Sequence, residues 1–410
     1  MEKIMLVFIA PYNPVQGNEG RGLGATRKIE FFLSLAARLS DEVVLINTAH
    51  ATKGWSKRQQ RRIRVGDASI HEITLRTYPR RPVGKLLNLL EIGAVSEELA
   101  SLGNPTAVWI YNAYVFESML ARELTRRFGA KLIFEFEDWL LSRRSWHPKP
   151  LMDFFAWRYF LPEPALCLAV NSNLSSLERR RSGCPVVMCP GIVAAGLLSA
   201  CQTRPAFSKR ADASVVVGYF GGLSIEKGAD VLLDLIRSSS DEFVFSVCGV
   251  GPLSQEFRKL AEECDRLHFH GRVDDPTLFR LISECDVLVN IHSSIEKMAN
   301  GIFPFKVIEY VAAGRLVIST PIPEMGIAEI ADAICVTTPD VQSVAAWLAV
   351  AKETFNRKRA VIDRAMVAAG TVLSAGAMEK AISGVLRGSV LRGADVMNDP
   401  VTSGVGMEEL

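Results

Sequence analysis

The sequence predicts an α/β protein of two doubly wound, Rossmann-like domains facing each other across a cleft. Two observations carry that expectation. Short β-branched runs alternate with amphipathic helical segments, the pattern of parallel strands joined by right-handed crossovers. The alternation then restarts after a polar, proline-bearing stretch at residues 201–214 (CQTRPAFSKRADAS). With 410 residues, 49% of them hydrophobic and 22% charged, the chain can bury two such cores without covalent staples.

In the first half the apolar runs fall at residues 4–10, 43–47, 107–111, 132–136 and 166–171, with helical patterns at 26–39 and 115–128. In the second half they fall at 215–219, 244–248, 267–270, 287–291 and 316–319. A near-continuous apolar run means a strand covered on both faces, which helices on either side of a parallel sheet provide. The expected organisation is a first domain over 1–200, a linker over 201–214 and a second domain over 215–386. The final helical stretch (341–386) is expected to return toward the first domain, followed by a flexible Gly- and Pro-punctuated tail over 387–410. Ligands in such folds bind beyond the carboxyl ends of the strands, so the cleft is the expected site.

The eight cysteines are scattered and form no C-x-x-C pair, which suits small hydrophobes in a reducing compartment. No apolar stretch approaches the ~18 residues that span a bilayer, and the opening run is too short for a secretory signal. A cytoplasmic protein is expected, with the inner face of a membrane as a second address. Charge is uneven: residues 1–190 carry a net +8 and residues 191–410 a net −6. A basic first half suits an anionic acceptor or membrane surface, and nucleic acid is not expected. Lys57, Arg58, Arg61, Arg62 and Arg64 also read as one solvated helix face. Segment 78–92, which mixes Arg80, Arg81 and Lys85 with leucines, either rests on anionic headgroups or is a surface helix with inward leucines.

Chemistry concentrates between Gly218 and Gly314. Residues 218–228 (GYFGGLSIEKG) leave a strand through a glycine loop and enter a helix. Gly221 and Gly222 let backbone N–H groups approach a phosphate, and a helix N-terminus favours negative charge. Lys227, expected in the first helical turn, gains nothing from the helix dipole and is better explained by a diphosphate. A surface lysine after a plain turn is the other reading. Gly249 and Gly251 form a second strand-to-helix turn. His268 and His270 share a strand face, but no third ligand is near in sequence and zinc is not expected. Within 300–314 (NGIFPFKVIEYVAAG), Phe303 and Pro304 open a helix that places Lys306 and Glu309 one turn apart. An ammonium can neutralise phosphate and a carboxylate can accept both ribose hydroxyls, or the two form a surface pair.

G-G-L-S-x-E-K-G, G-x-G-P, F-H-G-R-V and F-P-x-K-x-x-E-Y-x-A-x-G follow one another in that order within residues 215–320. Together they resemble the retaining GT-B glycosyltransferases of the group 1, family 4 type. The resemblance implies the GT-B architecture, a nucleotide-sugar donor in the second domain and a glycan or lipid-linked acceptor on the first. It also implies a role in surface polysaccharide biosynthesis of the bacterial kind. By the same resemblance Lys227 binds the donor diphosphate, Glu309 the ribose, backbone around Arg272 and Val273 the base, and Lys306 the diphosphate or sugar. A glycine loop in the first domain, with Gly22 and Gly24, resembles the family in layout. Two departures matter: Gly222 stands where the family often has arginine, and Gly301 where the first of two glutamates would be. Lys306 is a candidate to restore the missing phosphate charge.

In the first domain Asn112, Tyr114, Glu135, Glu137 and Asp138 follow two strand runs, where α/β folds place functional loops. Glu135 and Glu137 share a strand face and Asp138 takes the other. Asn112, Glu137 and Asp138 are candidates to orient an acceptor hydroxyl, or they cap the next helix. No D-x-D occurs, so no metal and no other cofactor is expected; transfer would rely on fixed positive potential at the leaving diphosphate. Two rival readings remain: another nucleotide-sugar enzyme, such as an epimerase or an inverting transferase, and a non-catalytic nucleotide-binding partner in a polysaccharide assembly complex.

Overall fold

The computed structural model describes residues 4–13, 23–49, 57–76, 87–139, 148–207, 214–293 and 301–387. Among the described residues fourteen strands form two sheets. The first comprises β1 (Met5–Ala10), β2 (Glu42–Asn47), β3 (Gln59–Val65), β4 (Ala68–Thr74), β5 (Ala107–Tyr111), β6 (Lys131–Phe136), β7 (Leu166–Ala169) and β8 (Val186–Met188). The second comprises β9 (Val215–Phe220), β10 (Phe243–Cys248), β11 (Leu267–Gly271), β12 (Val287–Asn290), β13 (Leu316–Ser319) and β14 (Ile334–Val336). Their orders are β3-β4-β2-β1-β5-β6-β7-β8 and β11-β10-β9-β12-β13-β14. Every pairing is parallel except β3 with β4. Strand order reverses between β1 and β5 and again between β9 and β12, and a crevice opens at such reversals.

All residues of β1 and β5 are buried because helices cover both faces. Val7, Ile9, Val108 and Ile110 pack on one side; Leu6, Phe8 and Trp109 meet Phe32 of the Leu23–Leu39 helix on the other. Met378, Ile382 and Val385 of the last helix, Ala375–Leu386, join that second face, and Lys131 Nζ donates to Val385 O (2.7 Å). The Ala375–Leu386 helix therefore packs on the first domain.

The basic run at 57–64 is not a helix face. Residues 59–65 form β3, an antiparallel edge strand in which Ile63 and Val65 alternate with Arg62 and Arg64. That period of two suits a strand, and cations on an edge discourage pairing with another chain. The second core also begins earlier than the expected boundary at 200. Val193, Leu197, Cys201 and Ala206 pack into it, and the Phe207 ring lies 5.0 Å from Phe355. Asp286 holds the polar stretch at Phe207 and at the start of β9: its two carboxylate oxygens accept from Phe207 N (2.7 Å) and Val216 N (3.0 Å). The stretch 341–386 is three helices, Val341–Ala349, Ala351–Val372 and Ala375–Leu386, the first and last capped by Asp340 and Ser374. In segment 78–92, residues 78–86 lie outside the described residues, as do 388–410 of the expected tail. Leu90 is 82% exposed, so that leucine does not pack inward.

Asp286→Ala strands two partly buried N–H donors where the chain enters β9. It is expected to cost about 2–3 kcal/mol in urea denaturation, against under about 0.5 kcal/mol for the exposed Asp234→Ala.

Candidate active site

The second-domain site is built on three loops at the carboxyl ends of β9, β10 and β12. Gly221 N donates to Cys248 O (2.9 Å) and Leu223 N to Val250 O (3.0 Å), so the two glycine turns lie backbone on backbone. A Cβ on Gly249 would stand 1.8 Å from Gly221 O, which leaves no room for a side chain. Lys227 is not in the first helical turn as expected. It closes a 3₁₀ turn, Ile225–Lys227, and the helix Ala229–Ser238 begins after Gly228. Gly228 sits at φ +75°, and a Cβ there would stand 1.9 Å from Ile291 O. That left-handed residue separates lysine from helix. The Tyr219 hydroxyl lies 2.8 Å from Gly222 O and 3.1 Å from Lys227 O, holding both ends of the loop.

Two ammonium groups occupy this loop. Lys227 Nζ lies 2.9 Å from His292 Nε2, while His292 Nδ1 lies 2.7 Å from Ser293 O. The neutral ring with Nδ1–H donating and Nε2 accepting satisfies both contacts. Burial, and then the adjacent Lys227, push the His292 pKa down to about 4. Lys306 begins the short helix Lys306–Ala312 and points its buried ammonium over the Tyr219 ring, 3.9 Å from the centroid, with no hydrogen-bond acceptor. Burial and then Lys227 hold its pKa well below the ordinary lysine value. Tyr310 fixes the helix to the loop: its hydroxyl accepts from Phe220 N (2.8 Å) and donates to Phe220 O (3.0 Å).

Glu309, one turn after Lys306, is 5% exposed and ion-paired across the cleft. Arg27, on the first helix of the first domain, reaches Glu309 Oε1 through Nη2 (3.2 Å) and Asp275 Oδ1 through Nε (3.2 Å). Burial raises the Glu309 pKa, and Arg27 opposes that rise. Arg272 and Val273 lie in the turn before the helix Asp275–Glu284, which Asp274 caps through Thr277 N (3.0 Å). Gly251 N is held by the Ser254 hydroxyl (2.8 Å). Phe303 packs against the cores of both domains, and Pro304 is buried beside it. Gly301 O accepts from Trp139 N (2.7 Å) of the first domain. Gly24 falls in the first turn of the Leu23–Leu39 helix, and Gly22 lies outside the described residues.

On the first-domain side Asn112 adopts φ 60° and is 1% exposed. Its Oδ1 accepts from Glu137 N (2.9 Å) and Asp138 N (3.0 Å), and its Nδ2 donates to the Tyr114 hydroxyl (3.2 Å). The side chain is thus committed to shaping the loop after β6. Lys28, 3% exposed, is ion-paired to Glu137 and lies 3.5 Å from Glu135, and donates to Cys189 O (3.1 Å). Asp138 lines a cavity of ≈ 10 Å³ with Asn112, Tyr114, Trp139, Asp153 and Trp157. Arg27, Lys28, Tyr219 and His292 were not among the sequence candidates. Lys28 left one trace: it lies on the inward stripe of its helix, one turn before Phe32. Among the described residues no group of three or more His, Cys, Asp or Glu could hold a metal ion.

Residues 214–350 match the family model described as glycosyl transferases, group 1. That stretch, most of the second domain, is similar to the group 1 glycosyltransferases. No curated protein sequence matches the chain. Among solved structures it is similar to the HepE protein of Anabaena in complex with UDP-glucose (15% identity, TM-score 0.59), over 94% of this chain and 100% of that one. It is also similar to the α,α-trehalose-phosphate synthase (UDP-forming) of Burkholderia xenovorans (11% identity, TM-score 0.66; 93% and 100% covered). A third is the sucrose-phosphate synthase of Thermosynechococcus elongatus (13% identity, TM-score 0.60; 94% and 99% covered). These likenesses span both domains, and the architecture is GT-B.

Glu135 provides a pH test of the first-domain cluster. It is fully buried, neither oxygen has a hydrogen-bond partner, and Lys28 is shared with the nearer Glu137. Burial therefore holds its pKa well above the ordinary 4.5, with Lys28 opposing. Because the folded value exceeds the unfolded one, this group's stabilising contribution is full below the unfolded pKa and is lost as pH rises through the folded pKa. Glu135→Gln is expected to lose that dependence, melting with the wild type in acid and above it at alkaline pH in paired thermal scans.

Proposed function

We propose that the chain is a retaining, metal-independent glycosyltransferase that moves a sugar from a UDP-sugar to a glycan or lipid-linked acceptor. It would act in the cytoplasm or at the inner face of a membrane, in surface polysaccharide synthesis. One observation carries the reading: Lys227 and Lys306 converge on a glycine loop at the strand reversal, with Glu309 one helical turn away. Two ammonium groups at one glycine loop suit an anion. Lys306, buried without an acceptor, gains a partner when phosphate arrives, and with it a reason to carry its charge. UDP is favoured as the nucleotide because structural neighbours were solved with UDP or UDP-glucose.

In the proposed reaction the bond between the sugar's anomeric carbon and the β-phosphate oxygen breaks as the acceptor oxygen bonds to that carbon from the same face. The departing phosphate oxygen takes the acceptor's proton. Negative charge grows on the diphosphate, and preorganised cations there lower the barrier most. His292, neutral near pH 7, leaves the Lys227 charge undiminished while aiming it. Glu137 and Asp138 face the acceptor side. Glu309 reaches the ribose once its Oε1 is released from Arg27.

Lys227→Ala and Glu309→Ala should each weaken UDP binding by about 10- to 100-fold in calorimetry, the scale of a charge-assisted hydrogen bond. Arg27→Ala removes a competitor for Glu309 and should leave UDP affinity unchanged or higher. A loss matching that of Lys227→Ala would place Arg27 on the phosphates instead. Wild-type affinity in both Lys227→Ala and Glu309→Ala would refute the donor site.

A further inference from the structure

The helix that carries Lys306 and Glu309 is seven residues long, Lys306–Ala312, and no side chain caps its N-terminus. So short a helix does not fix its own position, since helical stability in a protein comes mostly from packing. Tyr310 ties its second half to the end of β9. Lys306 sits at the other end, after residues 301–304, which form neither helix nor strand. The described hydrogen bonds that reach residues 301–303 from elsewhere both come from the first domain. Trp139 N donates to Gly301 O (2.7 Å), and Asn171 Nδ2 donates to Ile302 O (3.4 Å). Phe303 packs against the cores of both domains, and Phe305 packs against the first.

Asn171 suits this place by residue type. It is buried just after β7 and caps the Ser172–Ser182 helix, its Oδ1 accepting from Leu174 N (2.9 Å). That bond orients the amide and leaves Nδ2 on Ile302 O. Beside it Ser172 N donates to Glu324 O (2.8 Å), so the start of this helix meets the second domain at two points. Ser, Thr, Asp and Asn all cap helices, because a cap asks only for an acceptor. Of the four, only Asn accepts at one side-chain atom and donates from another. The bond to Ile302 is therefore what calls for Asn.

We propose that Asn171 is a positioning residue for donor binding: it holds residues 301–302 so that Lys306 enters its helix against the glycine loop. The proposal rests on Lys306 meeting the donor phosphates, and adds that a first-domain side chain sets part of the nucleotide affinity of the second domain. Asn171 touches neither nucleotide nor sugar and acts through Lys306. That lysine has little latitude. A Cβ on Gly221 would meet its Cδ at 3.5 Å and its Nζ at 3.6 Å, and its ammonium lies 3.9 Å from the Tyr219 centroid. Attraction to phosphate falls with distance, and a misplacement of ~1 Å can cost a site ~100-fold in rate.

Calorimetry of the full chain with UDP tests it through Asn171→Ser, which keeps a capping oxygen and loses the amide donor. This variant is expected to melt within about 2 °C of the wild type and to bind UDP about 3- to 10-fold more weakly, the scale of one neutral hydrogen bond. In a Lys306→Ala background the same change should cost nothing further, because the two residues act in series. Asn171→Asp, which keeps both the cap and the side chain's size, should weaken UDP at least as much; it gives the reading should the serine variant melt low. Wild-type UDP affinity in the Asn171 variants, beside a clear loss in Lys227→Ala, overturns the inference and leaves the donor site standing. Losses from Asn171→Ser and Lys306→Ala that add in full also overturn it, since Asn171 would then act by another route. A wild type that does not bind UDP refutes the donor site and this inference with it.

Discussion

The second domain brings two lysines from distant parts of the chain to one glycine loop, and its aromatic residues and short helices are arranged around that constraint. Tyr219 offers its ring face to Lys306, and His292 offers Nε2 to Lys227. Both tolerate a cation without neutralising it. The Tyr219 hydroxyl meanwhile anchors the glycine loop, and Tyr310 anchors the helix carrying Lys306 and Glu309 to the end of β9. Two aromatic residues on adjoining elements thereby fix the cations relative to the glycine loop.

Adjacent residues of the first helix extend this electrostatic framework in opposite directions. Arg27 points across the cleft to Glu309 and Asp275, while Lys28 points into its own domain toward Glu135, Glu137 and Cys189 O. Consecutive helical residues diverge by about 100°, so one turn of helix faces both domains at once. The Arg27 contacts pair both Glu309 and Asp275, which matters for Glu309 because a buried, unpartnered carboxylate is costly. On the other side a single buried ammonium serves two carboxylates, and the imbalance falls on Glu135.

Much of the fold could be read from the chain, because buried parallel strands are near-continuous apolar runs and few other structures produce them. The elements that escaped were those whose pattern is short or half-exposed. β8 and β14 have three residues each, and β3 alternates arginine with Ile63 and Val65, which resembles a charged helix face until its partner β4 is seen. The stretch expected to be a linker was hard to read for a related reason. Polar residues 201–207 looked like a linker, but Asp286, far along the chain, satisfies the backbone that enters β9.

The sequence by itself determined the two-domain α/β architecture, the glycine turns and the one-turn spacing of Lys306 and Glu309. Strand periodicity, turn chemistry and helical spacing are local properties, so a single chain displays them. Tertiary structure alone decided which charges meet. It placed Arg27 on Glu309, Lys28 between two carboxylates, His292 beneath Lys227 and Tyr219 beneath Lys306. Those partners are separated by 65 residues or more in three cases and by 87 in the fourth. Electrostatic environment depends on distance in space and on exclusion of water, and neither is a property of neighbouring residues in the chain.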